Sequence, residues 1–325
     1  MPTIMRLSSE QSDNVSLSED QLVKRYNVCQ YLYGSLAVFT ALIPDRTMST
    51  MLATKLGGAA GFGLAAGASH ILAGAAEHGR LGSDTYKRLN VGLLVFSLLG
   101  IAAIPGEAGF LPSFNVALPI SIAMSGVRCF SSIVSYQGWK RGISSENADE
   151  LTVTDLWKEI VSGMKTTIRG LRVQEKTKAM TYRNILLLVI LGIFSSLMEG
   201  VYSMRLQRDF AVSAAVAVHA RYQALLTRTW FDISLQWSAM SRLFLVSTMI
   251  YSLKDAAERD RLTGTTFVQM NFMIGTWATL VALGQAVYPL GFAAYRGVEM
   301  FAIAMPFFIK GLKSLKDKQA KKKLT

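Results

Sequence analysis

The chain has 325 residues, of which 51% are hydrophobic and only 17% are charged. Soluble globular domains carry about 25% charged residues, so this composition predicts a protein that is solvated largely by lipid. The net charge of +12 does not indicate a nucleic-acid partner, because the basic residues lie between apolar runs and in the C-terminal tail rather than on one folded face. We expect the partners to be the bilayer and its anionic headgroups.

Catalytic and metal-binding motifs are sparse in this sequence. Its two cysteines, Cys29 and Cys129, lie a hundred residues apart, which matches neither a disulfide framework nor a metal-ligand spacing. Three histidines are too few for a multi-histidine metal box, and neither a phosphate-binding loop nor a serine nucleophile elbow is present. We therefore expect no catalytic residues, no metal and no cofactor, and we do not expect an enzyme.

Eight stretches are long enough to cross about 30 Å of hydrocarbon at roughly 20 residues per helix. In chain order they are Tyr26 to Ile43, Leu52 to Ala76, Leu89 to Leu111, Phe114 to Tyr136, Asn184 to Met204, Trp230 to Leu253, Thr266 to Tyr288 and Phe292 to Ile309. The sequence thus predicts an all-α, multi-pass bundle of transmembrane helices. A further apolar segment, Phe210 to Leu225, is short and contains Arg221, so we expect a re-entrant or interfacial helix there.

The spans divide the chain into five predicted regions. These are a polar N-terminal tail (1–25), a first four-helix half (26–136), a loop with an amphipathic helix (137–183), a second four-helix half (184–310) and a basic C-terminal tail (311–325). With both termini inside, 25 of the 34 Lys and Arg residues lie on the inner side, which predicts cytoplasmic termini.

The chain termini also bear on localisation. The first 22 residues are polar and include four acids, so neither a removable signal peptide nor a mitochondrial presequence is predicted. Lys322 and Lys323 near the C-terminus resemble a cytosolic dilysine retrieval signal of the endoplasmic reticulum if the organism is eukaryotic. The alternative is a polybasic tail that fixes orientation and contacts anionic lipid.

A sequence match suggests an internal repeat. Residues 75–90 align without gaps on residues 256–271 with seven of sixteen identities, and Ile122-Ala-Met aligns with Ile303-Ala-Met at the same shift of 181. This predicts two halves in parallel orientation, related by an axis along the membrane normal. The shared polar residues form either a mechanical loop motif or a gate: Glu77, Arg80, Asn90, Glu258, Arg261 and Asn271.

The second span is unusually rich in small residues. Gly57, Gly61, Gly63 and Gly67 are spaced so that another helix backbone can approach closely, which predicts helix packing. A thin wall beside a substrate path and a homo-oligomer seam are the alternatives.

The loop between the halves contains a predicted amphipathic helix from Val153 to Arg172. Its apolar stripe includes Trp157, and its basic face includes Lys158, Lys165 and Arg169. Such a helix lies in the headgroup plane, with these four residues in contact with lipid, or it docks on the cytoplasmic end of the bundle; a partner helix in a membrane complex is the remaining alternative.

Two arginines fall inside predicted spans, at similar depths. Arg128 and Arg242 are candidate substrate-binding residues, because charges in a membrane are costly and two guanidinium groups can hold a phosphate or carboxylate. The alternative is that each extends toward the headgroups or binds a backbone carbonyl. We therefore expect a transporter or channel-like carrier of a small solute, with anions favoured. The runner-up is a non-catalytic membrane organiser, scaffold or assembly factor.

Overall fold

A computed structural model of the chain describes residues 18–42, 50–108, 114–143, 154–155, 158, 161, 177–214, 219–286, 303–316 and 319. The described residues are helical apart from short turns, and no strand occurs among them. The helices are α1 (Glu19–Leu42), α2 (Thr50–Glu77), α3 (Asp84–Ala108), α4 (Phe114–Gly142), α5 (Thr177–Ala214), α6 (His219–Glu258), α7 (Thr265–Ala286) and α8 (303–316). The predicted all-α class is confirmed.

Four of these helices are long and apolar enough to cross a membrane. The qualifying segments are Lys55–Glu77, Asp84–Ile104, Ala179–Met198 and Thr265–Gly284. The segment in α5 is only 24% buried, and it exposes Leu188, Leu191 and Phe194, as expected for a face in contact with lipid. Transmembrane helices are thus supported, while spans in α1, α4, α6 and α8 remain a prediction.

The fifth and sixth helices extend beyond the predicted spans. Helix α5 has 38 residues and α6 has 40, which correspond to about 57 and 60 Å at 1.5 Å per residue. Residues 210–214 continue α5 and residues 219–225 belong to α6, so α5 continues past the predicted span end at Met204 and α6 begins before the predicted span start at Trp230. The prediction followed the apolar runs, but backbone hydrogen bonds propagate a helix into polar sequence as well.

The predicted amphipathic helix falls largely outside the described residues. Residues 154, 155, 158 and 161 are helical, and the Lys158 ammonium lies 3.0 Å from the Asp155 carboxylate. Lys158 is exposed, whereas Trp157, Lys165 and Arg169 lie outside the described residues.

Four inner helices, α2, α3, α6 and α7, join the two halves. Within the first half, α1 packs on α2 and α4 packs on α3, and α5 packs on α6 in the second half. Helix α8 packs on α7 through Phe308 and Phe272, whose rings lie 6.2 Å apart. The extensive contacts between halves are α3 with α6 and α2 with α7.

The turns after α2 and α6 have the same backbone geometry. In the first turn, the Arg80 N–H donates to the Ala75 carbonyl and the Gly79 N–H donates to the Ala76 carbonyl. In the second turn, the Arg261 N–H donates to the Ala256 carbonyl and the Asp260 N–H donates to the Ala257 carbonyl. Both pairs form the hydrogen bonds that end a helix with a left-handed residue, and φ is 61° at Gly79 and 52° at Asp260. Three further backbone hydrogen bonds of the first turn recur 181 residues later. Their donors are Ser83, Tyr86 and Lys87 in the first turn, and Gly264, Phe267 and Val268 in the second.

The second predicted match does not show the same equivalence. Met124 is buried and Ile122 exposed, whereas Met305 is exposed and Ala304 buried. At this shift the turns after α2 and α6 thus share their backbone hydrogen bonds, whereas the inward faces of α4 and α8 differ, and the repeat of whole halves stays a prediction.

Substitution Gly79→Ala is expected to destabilise the protein by about 1 kcal/mol, because a side chain is disfavoured in the left-handed conformation. The matched control is Gly74→Ala, within α2, where a Cβ would meet no atom within 4 Å and alanine favours the helix. Thermal unfolding in detergent would measure both. Equal midpoints for the two variants would contradict the expectation.

Candidate functional site

The two turns define one end of the bundle, which we call the turn end. The Tyr26 hydroxyl of α1 donates to Asn90 of α3, and the Tyr182 hydroxyl of α5 donates to Asn271 of α7. Gly142, at the end of α4, lies against the turn at Leu81. Lys310 of α8 lies over the Tyr182 ring. The odd-numbered helices therefore begin at the turn end, and the even-numbered helices finish there.

A polar layer joins the halves at the turn end. The hydroxyl groups of Tyr86 in α3 and Thr266 in α7 are 3.1 Å apart. About 3 Å deeper by helical rise, the Arg88 guanidinium lies 3.6 Å from the Asp255 carboxylate of α6 and 4.4 Å from the centre of the Tyr251 ring. Both contacts connect the first half to the second. The side chains that form them are partly buried, so water can replace these contacts if the halves separate.

A glycine layer follows, about 12 to 15 Å from the turn end by helical rise. A Cβ on Gly92 of α3 would overlap Thr248 of α6, and a Cβ on Gly67 of α2 would overlap Met273 of α7. The shift of 181 in the predicted repeat pairs position 67 with position 248, and position 92 with position 273. The two contacts are thus equivalent, with a glycine from the first half receiving a side chain of the second half in each.

Arg242 of α6 lies farther along the same interface, about 24 Å from the turn end by helical rise. Its side chain packs where Gly57 and Gly61 of α2 lack a Cβ. The guanidinium donates to the carbonyl and the hydroxyl of Ser238, at 2.8 Å each. Arg242 is half-buried. The predicted repeat also pairs position 61 with position 242, and these two residues contact each other between the halves.

Arg128 of α4 is held inside the first half. It is 2% exposed, donates to the Gly100 carbonyl of α3 and lies with its guanidinium carbon 5.4 Å from the centre of the Phe62 ring. Phe62 follows Gly61 directly, and adjacent helical residues point about 100° apart. The two arginines therefore contact different faces of α2.

The other predicted site residues occupy different environments. Gly63 has no neighbouring atom within 4 Å of the Cβ position. Among the gate candidates, Glu77, Arg80 and Arg261 are exposed, and Glu258 pairs with Lys254 of its own helix at 2.7 Å. Asn90 and Asn271 are fully buried, where they bind the tyrosines of α1 and α5.

Sequence reasoning missed the residues that join the halves. Tyr86 and Thr266 lie within the aligned segments, but the alignment places 86 opposite 267, and the contact between 86 and 266 depends on how the halves are packed. Arg88 and Asp255 fall just inside the helix ends, where a lone charge is typical of a solvated surface. Nothing in their spacing indicates that they pair.

Comparisons with protein-family models, with curated proteins and with solved structures found no match. Within the described part of the chain, no group of three or more His, Cys, Asp or Glu side chains is placed to hold a metal ion.

Proposed function

We propose that the chain is a multi-pass membrane carrier of a small anion, which binds beside Arg242 between two pseudo-symmetric four-helix halves. The observation that carries the proposal is the position of Arg242: half-buried, within the bundle, and in contact with the equivalent glycine of the other half. In transporters built from parallel repeats, substrates bind at the repeat interface near the bilayer midplane.

The chemistry of Arg242 favours an anion. A guanidinium group keeps its charge at all physiological pH values and matches the planar geometry of carboxylates and phosphates. Its desolvation inside a membrane is costly, so an anion that enters beside it gains a strong electrostatic interaction. Gly57 and Gly61 leave the arginine side chain close to α2 without a Cβ in between.

The polar layer supports a gate on one side of Arg242. Tyr86 with Thr266, and Arg88 with Asp255, close the turn end between the halves. These partners can exchange their contacts for water when α3 moves away from α6 and α7. The gate we propose thus comprises these four residues rather than Glu77, Arg80, Glu258 and Arg261, and the glycine layer lies between it and Arg242.

The proposed orientation places the turn end in the cytoplasm. It follows from the excess of Lys and Arg on that side, and it puts the basic tail with Lys322 and Lys323 next to anionic lipid headgroups. If the organism is eukaryotic, the same proposal includes retrieval of the protein to the endoplasmic reticulum through Lys322 and Lys323.

The test is thiol labelling with a cysteine beside Arg242. In a Cys29→Ser, Cys129→Ser background, Ser238→Cys is expected to react with an anionic thiosulfonate from the side opposite the turn end, since its Oγ lies 2.8 Å from the guanidinium. Adding Arg242→Gln should slow the reaction at least tenfold. The matched control is Ser131→Cys, a serine that is buried as Ser238 is but lies inside the first half rather than between the halves, so it should stay unlabelled when the halves open.

A second candidate, the membrane organiser, is favoured by a different observation. Arg128 is bound by the Gly100 carbonyl and the Phe62 ring, as in a closed structural core, and α5 presents an apolar face. If Ser238→Cys reacts from neither side, or equally fast with and without Arg242, the carrier is rejected and the organiser becomes the better proposal.

A further inference from the structure

The carboxylate of Asp255 in α6 is shared between two arginines. Its Oδ2 lies 3.6 Å from Nη1 of Arg88, which belongs to α3 in the other half. Its Oδ1 lies 3.1 Å from Nη2 of Arg259, four residues later in α6. Asp255 is partly buried, whereas Arg259 is exposed. One carboxylate thus connects the halves and is also paired within its own helix.

The pair between the halves is the looser of the two. A separation of 3.6 Å is longer than a hydrogen bond between nitrogen and oxygen, whereas 3.1 Å falls within the hydrogen-bonding range. Nη1 of Arg88 is a buried atom that has no hydrogen-bond partner among the described residues. The Asp255 carboxylate therefore lies closer to Arg259, and Arg88 keeps a donor that a hydrogen bond to Asp255 would satisfy.

The Tyr251 ring, which also contacts Arg88, has a second cation on α6 as well. The guanidinium carbon of Arg88 lies 4.4 Å from the ring centre, and Nζ of Lys254 lies 5.9 Å from it. Both distances are within reach of a cation–π interaction. Lys254 is buried and pairs with Glu258 of the same helix. Helix α6 therefore carries a replacement cation both for Asp255 and for Tyr251.

The other seam between the halves lacks this ion pair. At the shift of 181 in the predicted repeat, Asp255 corresponds to Gly74 and Arg88 corresponds to Gln269. These two residues cannot form an ion pair, yet α2 and α7 pack on each other. Helix packing by itself thus does not account for the charges between α3 and α6.

From these contacts we propose that Arg259 sets how readily the turn end opens, by competing with Arg88 for the carboxylate of Asp255. When α3 moves away from α6, Asp255 stays paired with Arg259, and Tyr251 stays beside Lys254. A partly buried charge that loses its partner is costly, so this exchange of partners lowers the cost of opening. Arg259 is thus a positioning residue that acts through Asp255. The inference rests on the proposed gate and concerns its regulation, whatever the solute.

The test is the rate at which an uncharged maleimide labels Ser252→Cys in the full-length protein in detergent, in a Cys29→Ser, Cys129→Ser background. Ser252 is fully buried. Its spacing places it on one face of α6 with Thr248 and Asp255, both of which contact α3. Labelling therefore reports the separation of α3 from α6, and an uncharged reagent does not respond to the charges that the variants remove.

Two variants in this background should change the rate in opposite directions. Arg259→Gln frees the carboxylate for Arg88 and is expected to slow labelling about twofold, since an ion pair along an exposed helix surface is weak. Asp255→Asn removes the pair between the halves and should speed labelling about threefold. Adding Arg259→Gln to Asp255→Asn should have no further effect, because Arg259 acts through that carboxylate.

The matched control for the loss of one positive charge is Arg261→Gln. Arg261 is exposed in the turn that follows α6, and its replacement should leave the rate unchanged. Unchanged or faster labelling in Arg259→Gln, or an equal change in Arg261→Gln, would overturn the inference while leaving the gate in place. If Ser252→Cys stays unlabelled in every variant, Asp255→Asn included, the turn end does not open, and the proposed gate fails together with this inference.

Discussion

Cross-linking the halves at the turn end is expected to reduce anion exchange at least tenfold. Tyr86→Cys and Thr266→Cys, joined by a short bifunctional thiosulfonate, would hold α3 next to α7, where the native hydroxyl groups are 3.1 Å apart. A carrier must separate its halves on one side of the binding site to release solute. The measurement is exchange of labelled chloride, acetate and inorganic phosphate in proteoliposomes, before and after a reductant cleaves the link.

The matched control joins two helices of one half at the same end. Arg25 of α1 and Gln137 of α4 are hydrogen-bonded at 2.8 Å, and both belong to the first half. The same reagent on Arg25→Cys and Gln137→Cys should leave exchange unchanged, because the half moves as one body. If both links inhibit equally, or if the Tyr86–Thr266 link has no effect, the proposed gate is wrong.

Substitution Gly92→Ala is expected to destabilise the protein by about 1 to 3 kcal/mol, the usual cost of overpacking a well-packed core. The new Cβ would lie 3.1 Å from both Cβ and Cγ2 of Thr248 and closer still to its hydroxyl, and a β-branched side chain has few other rotamers. Gly67→Ala should cost less, because the atoms it meets belong to the flexible end of Met273. Thermal unfolding in detergent would rank the variants.

A compensating substitution tests the cause of that loss. Thr248→Ala, combined with Gly92→Ala, removes the overlapping hydroxyl and methyl groups and should recover most of the stability. Gly126→Ala is the control for replacing glycine within a helix, since its Cβ would meet no atom within 4 Å. A Gly92→Ala variant as stable as Gly126→Ala would show that the halves are not packed through this contact.

The positions of the helices and of the turns between them can be predicted from local sequence patterns. Apolar runs separated by polar loops predict where helices occur, because burial of apolar side chains and local backbone hydrogen bonding are both encoded along the chain. The match between 75–90 and 256–271 singled out two segments whose backbones prove to share their hydrogen bonds. Gly79 and Asp260, which take the left-handed conformation, are both residues that tolerate it.

Which side chains contact each other depends on how the helices pack. The depths of Arg128 and Arg242 follow from residue spacing, but the rotation of each helix about its axis does not, and that rotation places Arg128 inside the first half and Arg242 between the halves. The pairing of Arg88 with Asp255 likewise brings together residues that are far apart in the chain. Such contacts depend on how three or more helices pack at once, and no local pattern encodes them.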